Sequence, residues 1–451
     1  MSTKSITLAL ATLLVTVLTG CDNFLDITPT GKVIAKTYEE YRALLTYEYK
    51  FFPEDRGLAT LRTDEMTLDK ASTTAEDYDS YFDIWAWKDN APSATTVSFG
   101  WRRYYHAIYI ANYIIAHQKE ITNASAEDIS QLTGEAYMMR AYAHFLLANL
   151  YAEPYTHCSP ETTRGVPVQL QPDVNSIPLC SSLADVYRQI LADIDVARRH
   201  LNVEQWKTGI NYRFNTVSAD ALKARVCLYM GNWQEALAAS EAVLAKRGQL
   251  EDMTASNSVL PDHYTSVENI VALEQVMTNV YKNIGRPSNE LISLYRTGDM
   301  RKSKYYKQVT ASVSSLRKGG SNEYCCTFRT AEFYLTAAEA AVELGNTAQA
   351  ANYLIKLMEK RYTANALSAL SQSVSTMDKE TLRREIFDER KRELAFEGFL
   401  WYDLRRTTRP AIEKNYDGVK YLLNRQDARY TMRFPTEAVE ANPGLEVWPN
   451  P

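Results

Sequence analysis

Two copies of a helix–turn–helix pattern constrain the fold of this chain more than any other feature. The four apolar-periodic runs cover residues 219–230, 233–245, 328–344 and 347–362. Each pair is joined by the same dipeptide, Gly231-Asn232 in the first and Gly345-Asn346 in the second. Glycine supplies the left-handed residue that ends the first helix, and small alanines let the second helix approach closely. The sequence therefore predicts two helical hairpins.

Helical periodicity extends over most of the remaining chain. Thr37 and Glu40 form the capping box of a predicted helix, and Ser125 precedes an apolar stripe that runs to Tyr151. Glycine and proline are scarce, at 17 and 15 of 451 residues, which disfavours β-rich and disordered architectures. The predicted fold is mostly α. Its hairpins resemble tetratricopeptide repeats, although they are too far apart in sequence for a regular tandem array.

Two regions interrupt the helical pattern. Residues 56–99 are polar and aromatic, and residues 250–320 combine β-branched residues with prolines and glycines. We expect both to be long loops that leave the helical scaffold. Ordered loops of this length are usually functional.

The N-terminus predicts export and a lipid anchor. Lys4 precedes a short apolar stretch, and Leu18-Thr19-Gly20-Cys21 resembles the lipobox of bacterial lipoproteins, in which the cysteine carries the lipid. The stretch from Ile6 to Leu18 is 13 residues, too short for a membrane-spanning helix. Residues 1–20 are thus predicted to be a lipoprotein signal peptide, with an ordinary secretory signal as the alternative.

The remaining cysteines are consistent with an exported chain. Cys158 and Cys180 bracket a proline-rich segment, and the sequence leaves open whether a disulfide joins them. Cys227 lies within a predicted helix and is expected to be a small buried apolar residue.

Catalytic and metal-binding motifs are absent from the sequence. The chain contains no phosphate-binding glycine loop and no Gly-x-Ser-x-Gly, and its 6 histidines have no zinc-ligand spacing. A glycosidase carboxylate pair follows no spacing rule and therefore remains an open alternative. The net charge of −5, without a long basic run, disfavours a nucleic-acid partner. No metal and no cofactor are expected.

An aromatic cluster within residues 78–101 is the best candidate for ligand recognition. Trp85 and Trp87 stand close together among polar residues that include Asp89 and Asn90. Sugar rings pack their C–H faces on aromatic rings, and their hydroxyls need planar polar partners. Two such close tryptophans in a loop are expected to leave part of one ring exposed, with burial against the helices as the equally weighted alternative.

The charged run Asp388 to Glu393 is read as structural. Arg390 lies on the same helical face as Phe387 and Leu394, so we expect it to point inward and to pair with a carboxylate such as Glu393 or Glu397. The other charges of the run are expected on a solvated face.

Several segments together resemble the SusD/RagB family of nutrient-binding outer-membrane lipoproteins of Bacteroidetes. These segments follow one another in the family's order and cover nearly all of the mature chain. They are Cys21 with Asn23-Phe24-Leu25-Asp26, Arg140 to Leu147, Arg329 to Ala340, Glu393 to Asp403, and Phe434-Pro435 with Asn442-Pro443-Gly444.

The resemblance implies a single SusD-like domain over residues 21–451, with a C-terminal helical part at 328–451. It implies a scaffold of tetratricopeptide-like hairpins and a loop-rich half that forms the ligand-binding surface. It implies no enzymatic activity and a SusC-like TonB-dependent outer-membrane transporter as partner. The chain would be anchored in the outer membrane by its lipid and would face the cell surface. The ligand-contacting residues that it implies are Asp64, Trp85, Trp87, Asn90, Tyr281 and Arg286.

The leading hypothesis is a lipoprotein that captures an oligo- or polysaccharide and delivers it to the transporter. Peptide binding by a member of the same family is the close alternative. An exported helical glycoside hydrolase and a purely structural lipoprotein are the alternatives from other classes.

Overall fold

A computed structural model describes residues 35–68, 74–90, 92–311 and 313–447 of the chain. Cys21 and the predicted signal peptide lie outside these residues. In chain order the helices are α1 Tyr38–Lys50, α2 Asp55–Thr60, α3 Ala75–Trp85, α4 Trp101–His117, α5 Ala126–Tyr151, α6 Leu183–His200, α7 Thr216–Met230, α8 Trp233–Lys246, α9 Asn279–Ile284, α10 Asn289–Ser293, α11 Met300–Tyr305, α12 Thr330–Glu343, α13 Thr347–Met358, α14 Ala364–Ser375, α15 Lys379–Glu393, α16 Leu400–Arg406 and α17 Thr436–Ala441.

The strands are short and pair two at a time in antiparallel fashion. They are β1 Met66–Leu68, β2 Arg164–Pro167, β3 Cys180–Ser182, β4 Asn269–Val271, β5 Gly285–Pro287, β6 Tyr306–Gln308, β7 Ser314–Leu316, β8 Phe328–Arg329, β9 Ile412–Tyr416 and β10 Val419–Leu423. The pairs are β1 with β5, β2 with β3, β4 with β8, β6 with β7, and β9 with β10. Two of these pairs, β1–β5 and β4–β8, join segments that are distant in sequence, and the other three are local.

Both predicted hairpins are present. Gly231 ends α7 with a φ of 71°, and Gly345 follows α12 with a φ of 85°, the left-handed conformation that glycine adopts without a steric penalty. The neighbouring asparagines cap the next helices, since the Asn232 side chain accepts from the backbone N–H of Glu235 and the Asn346 side chain does the same for Gln349. The mostly α fold is confirmed. From α4 to α8 each helix packs on the next, α8 packs on α12, and α12 packs on α13.

The two regions predicted as long loops, 56–99 and 250–320, contain short helices and strands of their own. The first region contains α2, α3 and β1, and the second contains β4, β5, β6, β7, α9, α10 and α11. Local capping explains these short helices. The Thr74 hydroxyl accepts from the backbone N–H of Asp77 at the start of α3, and Thr278 caps α9 in the same way. These short elements fix the backbone geometry of both regions, although the sequences of the regions lack a long apolar stripe.

Buried ion pairs hold the C-terminal helices to the rest of the chain. Arg390 points inward as predicted, but its carboxylate partner is Asp403 at 3.1 Å, so the expected pairing with Glu393 or Glu397 is wrong. Glu393 instead accepts hydrogen bonds from Arg361 and Arg329. Burial alone would raise the pKa of its carboxyl, but these guanidinium groups outweigh burial and hold the pKa well below its ordinary value.

The expected solvated face of this run is also wrong, because Glu389, Arg392 and Glu393 are all buried. Buried charges must be paired. Glu389 and Glu393 pair with Arg301, Arg329 and Arg361 from distant segments, whereas Arg392 pairs with Glu385 and Glu389 of its own helix. The network continues through Lys318, Glu268, Asp299 and Glu397.

All five cysteines in the described part of the chain carry free thiols. Cys158 and Cys180 are therefore unbonded in this structure. Cys227 is buried inside α7, which confirms its predicted role as a small apolar residue.

Candidate functional site

The predicted aromatic region forms the wall of two adjoining clefts. One cleft, of about 390 Å³, is lined by residues 86–90 and Arg429. The second, of about 460 Å³, shares Lys88, Asp89 and Asn90 with the first and continues to Phe434. Lys88 and Asn90 are exposed, and Asp89 is partly exposed. Together they present ammonium, amide and carboxylate groups to solvent just after the end of α3. We call residues 86–90 the 86–90 turn.

The two tryptophans form the buried support of this turn. The Trp87 indole N–H donates to the Arg62 carbonyl oxygen at 2.9 Å, and the Trp85 indole N–H donates to the Met66 carbonyl oxygen at 3.2 Å. Trp87 has a φ of 55°, a left-handed conformation that is rare for a bulky residue and is retained only where surrounding contacts fix it. The turn is therefore held in one shape from below.

A buried lysine completes that support. Lys414 of β9 places its side-chain nitrogen 4.1 Å from the centroid of the Trp87 ring and 5.0 Å from that of Trp85. The same nitrogen donates to the carbonyl oxygens of Leu61 at 2.6 Å and Trp85 at 3.0 Å. Burial lowers the pKa of the Lys414 amine well below its ordinary value, and the nearby Arg62 guanidinium adds to that shift.

Arg62 fixes the acidic member of the turn. Its guanidinium donates to both carboxylate oxygens of Asp89 at 2.7 Å, and to the Arg429 carbonyl oxygen at 2.7 Å. The same group lies 4.7 Å from the centroid of the Trp401 ring. A bidentate arginine–carboxylate pair sets both the distance and the orientation of the carboxylate. Asp89 is thus oriented before any ligand arrives.

Asp83 anchors the other side of the turn. It accepts from the backbone N–H of Ser93 at 2.7 Å and from the Thr96 hydroxyl at 2.9 Å, and its carboxylate lies 3.1 Å from the Lys88 nitrogen. Burial alone would raise the pKa of Asp83, but these hydrogen bonds outweigh it and lower the pKa. Asp83 therefore stays ionised and holds Lys88 beside the cleft.

Of the six ligand residues predicted from the sequence, some line the clefts and others do not. Trp87 and Asn90 line the clefts, and Trp85 lies directly beneath. Asp64 is half-buried in the turn after α2, close enough to Lys414 to oppose the lowering of its pKa. Tyr281 and Arg286 do not line either cleft.

These last two residues lie along the neighbouring β1–β5 pair. The Tyr281 ring stands perpendicular to that of Tyr81 in α3, with centroids 5.6 Å apart, and it is almost buried. Arg286 is half-buried on β5 opposite Thr67 of β1. Both residues therefore contact or flank the elements that support the 86–90 turn.

The expectation that one tryptophan ring would be exposed is wrong. Trp85 is 0% and Trp87 is 1% exposed. The rings are covered because Tyr416 and Tyr421 of the β9–β10 hairpin pack on Trp85, while Lys414 covers Trp87. The polar side chains of the turn therefore face the solvent, and the buried rings support them from below.

Sequence reasoning missed three side chains of the site. Arg62, Lys414 and Arg429 come from segments up to 367 residues apart, and a lone basic residue in a sequence carries no signal of its partner. The run Leu61-Arg62-Thr63-Asp64 offered a weak hint, because a charged residue between apolar and acidic positions must find a partner when its segment is buried.

Two further properties bear on the class of protein. Within the described ranges, no group of three or more histidine, cysteine or acidic side chains could hold a metal ion. In the same ranges, every helix is too short or too polar to cross a membrane.

Comparison with known families covers almost the whole chain. Residues 23–228 match a family described as starch-binding and associating with the outer membrane, and residues 229–450 match the SusD family. SusD-like protein P38 of Formosa agariphila is 22% identical over 88% of this chain and 90% of its own length. SusD-like protein P2 of the same organism is 23% identical over 69% of this chain and 71% of its own.

Solved structures show the same fold. A SusD superfamily protein from Bacteroides thetaiotaomicron superposes with a TM-score of 0.76 at 21% identity, covering 92% of this chain and 100% of that one. A structure named as a putative sugar binding protein from Bacteroides vulgatus gives a TM-score of 0.73 at 19% identity, covering 92% and 98%. A SusD-like carbohydrate binding protein from the same species gives 0.68 at 17%, covering 91% and 98%.

With a helical-hairpin scaffold, a polar cleft on an irregular face and these matches, the chain belongs to the SusD-like family of proteins.

Proposed function

We propose that this protein captures an oligo- or polysaccharide at the 86–90 turn and delivers it to a SusC-like TonB-dependent transporter of the outer membrane. One observation carries the proposal. Lys88, Asp89, Asn90 and Arg429 line a cleft, and buried contacts from Arg62 and Lys414 fix the backbone beneath them. Fixed donors and acceptors on an open surface suit the hydroxyl groups of a sugar chain.

The names of related proteins support the same class of ligand. Two of the similar structures are described as carbohydrate or sugar binding, and one matching family is described as starch-binding. The identity of the sugar is not carried over, because these structures are under 25% identical to this chain.

We propose binding without catalysis. A glycoside hydrolase needs a carboxylic acid that stays protonated near neutral pH beside a second carboxylate. Two of the acids that line the clefts do not offer this, since Asp89 pairs with Arg62 and the pKa of Asp83 is lowered. Incubating the protein with the sugars that it binds and measuring new reducing ends tests this point. Sustained release of reducing ends would contradict it.

Affinity measurements on a panel of poly- and oligosaccharides test the ligand class. Against the best ligand, Asn90→Ala and Arg429→Ala are expected to weaken binding about tenfold, as the loss of one or two hydrogen bonds implies. Gln308→Ala is the matched control, because Gln308 is exposed on β6 and lines neither cleft. Silence across the sugars, with binding to peptides instead, would overturn the sugar assignment in favour of peptide capture.

Asp64, Tyr281 and Arg286 stay proposed as contacts for a ligand longer than the cleft. They lie along the supporting elements between the 86–90 turn and the β1–β5 pair. Asp64→Ala should weaken binding of long chains more than that of short ones. Equal effects on both would remove Asp64 from the contact surface.

The transporter and the anchor are separate parts of the proposal. Tagged protein is expected to co-purify with a TonB-dependent transporter from detergent-solubilised outer membranes. Cys21→Ser is expected to abolish acylation and release the chain from the membrane fraction, whereas Cys158→Ser should leave both unchanged. Acylated, membrane-bound Cys21→Ser protein would contradict the assigned attachment site.

A further inference from the structure

A separate cleft lies on a part of the molecule that the proposed sugar site does not use. It has a volume of about 580 Å³ and shares no lining residue with the clefts at the 86–90 turn. Its walls come from the C-terminal end of α1, the segment between α1 and α2, and residues 272–275 directly after β4. A cavity of this size accommodates a monosaccharide, a disaccharide or a dipeptide.

Aromatic rings form much of the wall of this cleft. They belong to Tyr49, Phe52, Tyr212 and Tyr264. Tyr49 is immobilised, because its hydroxyl donates to Glu135 at 2.9 Å and accepts from the Phe214 backbone N–H at 3.2 Å. The Tyr212 ring meets it edge to face at an interplanar angle of 60°, with centroids 5.4 Å apart. The wall is thus fixed in shape.

Two carboxyl groups also line the cleft. Glu274 is 2% exposed, and its Oε2 accepts from Arg56 at 2.9 Å and from the Tyr142 hydroxyl at 2.5 Å. Its Oε1 has no hydrogen-bond partner among the described residues, although it is buried. A buried oxygen without a donor is destabilising, and a ligand with N–H groups would satisfy it.

The second carboxyl group, Glu54, is half-buried. Burial raises its pKa, and the neighbouring Glu274 adds to the shift. Arg56 pairs with Glu274 and balances its negative charge. Lys50, the other charged residue of the lining, is exposed, and its ammonium lies 5.4 Å from the Phe51 ring centroid. The local charge therefore favours a cation and opposes phosphate, sulfate and uronate groups.

We propose that this cleft binds a protonated primary amine, with Glu54 as its carboxylate partner and the rings of Phe52, Tyr212 and Tyr264 around it. A cation gains from aromatic faces and from a carboxylate that is partly removed from water. The amine has two chemical sources of suitable size, an amino sugar and the N-terminus of a short peptide.

Titration calorimetry on the full chain tests the proposal with matched probes. Glucosamine is compared with glucose and N-acetylglucosamine, which keep the ring but lack the charged amine. Diglycine is compared with N-acetyl-diglycine for the peptide source. We expect one or both amines to bind at least tenfold more tightly than their neutral analogues. Equal binding of charged and neutral probes, or binding of none, would overturn the proposal.

A variant pair locates the amine in the cleft. Glu54→Gln keeps the shape of the side chain and should weaken amine binding at least fivefold. Glu290→Gln is the control, because Glu290 is exposed on α10 and lines none of the three clefts. Unchanged amine affinity in Glu54→Gln would overturn the assignment. Saccharide binding at the 86–90 turn should be the same in both variants, so failure here and failure of the proposed function are distinguishable.

Discussion

The side-chain nitrogen of Lys414 lies 4.1 Å from the centroid of the Trp87 ring, and both residues are buried. Lys414 comes from the hairpin β9–β10, whereas Trp87 belongs to the turn after α3. The contact therefore joins two segments more than three hundred residues apart and helps to bury the Trp87 ring. It supports the backbone of the 86–90 turn from below.

Replacing Lys414 by methionine should destabilise the protein. The variant keeps the length of the side chain but leaves the carbonyl oxygens of Leu61 and Trp85 without a donor. We expect the free energy of unfolding to fall by about 2 kcal/mol, measured by urea denaturation. Lys420→Met is the control, since Lys420 is exposed on the same hairpin and its ion pair with Glu413 is worth about 0–1 kcal/mol. Equal losses in both variants would contradict a specific role for Lys414.

Asp55 predicts a pH dependence of stability. Burial raises the pKa of its carboxyl to about 7 from an ordinary value of 3.8. Between these values the folded state binds more protons than the unfolded state, so the free energy of unfolding should fall as pH rises, by about 2 kcal/mol from pH 5 to 7.

Asp55→Asn isolates this contribution. The amide oxygen retains the hydrogen bond from the Gly100 backbone N–H, which is 2.7 Å in the native protein, but it does not titrate. The difference in stability between wild type and variant should change across pH 5–7 and level off above. Parallel pH profiles for the two proteins would refute the raised pKa.

Glu393 is expected to be one of the most sensitive buried positions. Its carboxylate accepts from Arg301, Arg329 and Arg361 at 2.7–2.8 Å. Glu393→Gln removes a buried negative charge that these three guanidinium groups share, so the free energy of unfolding should fall by about 3–5 kcal/mol. Glu380→Gln, which breaks an exposed ion pair in the same helix, should cost less than about 1 kcal/mol. Similar thermal denaturation midpoints in the two variants would show that the buried network is not stabilising.

Arg62→Lys tests whether the orientation of Asp89 matters for binding. Lysine keeps the charge but cannot donate to both oxygens of Asp89 and to the Arg429 carbonyl oxygen at once. Saccharide affinity should fall about tenfold, while Arg102→Lys, at an exposed position of α4, should bind as wild type does. If Arg62→Lys loses stability but keeps full affinity, Arg62 supports the fold alone.

Local sequence patterns predicted the scaffold well. The capping box at Thr37 and Glu40, the serine cap at Ser125 and both Gly-Asn turns are present. These features depend on interactions between residues no more than four positions apart, which periodicity and capping rules describe directly.

The candidate site was predicted only in part. Asn90 and Trp87 line the clefts, but the tryptophan rings are buried. Their exposure could not be read from residues 78–101, because the residues that cover them belong to β9 and β10. Arg390 illustrates the same limit, since its inward direction follows from helical spacing but its partner Asp403 lies on another helix.

By itself, the sequence determined the helical hairpins, the family to which the chain belongs and the segment that carries the clefts, because each of these follows from local spacing or from motif order. Only the tertiary structure decided which charges are buried, which rings are covered and which polar groups meet the solvent. Those outcomes depend on contacts between residues far apart in the chain, where the cost of burying a charge or a polar group selects the partner.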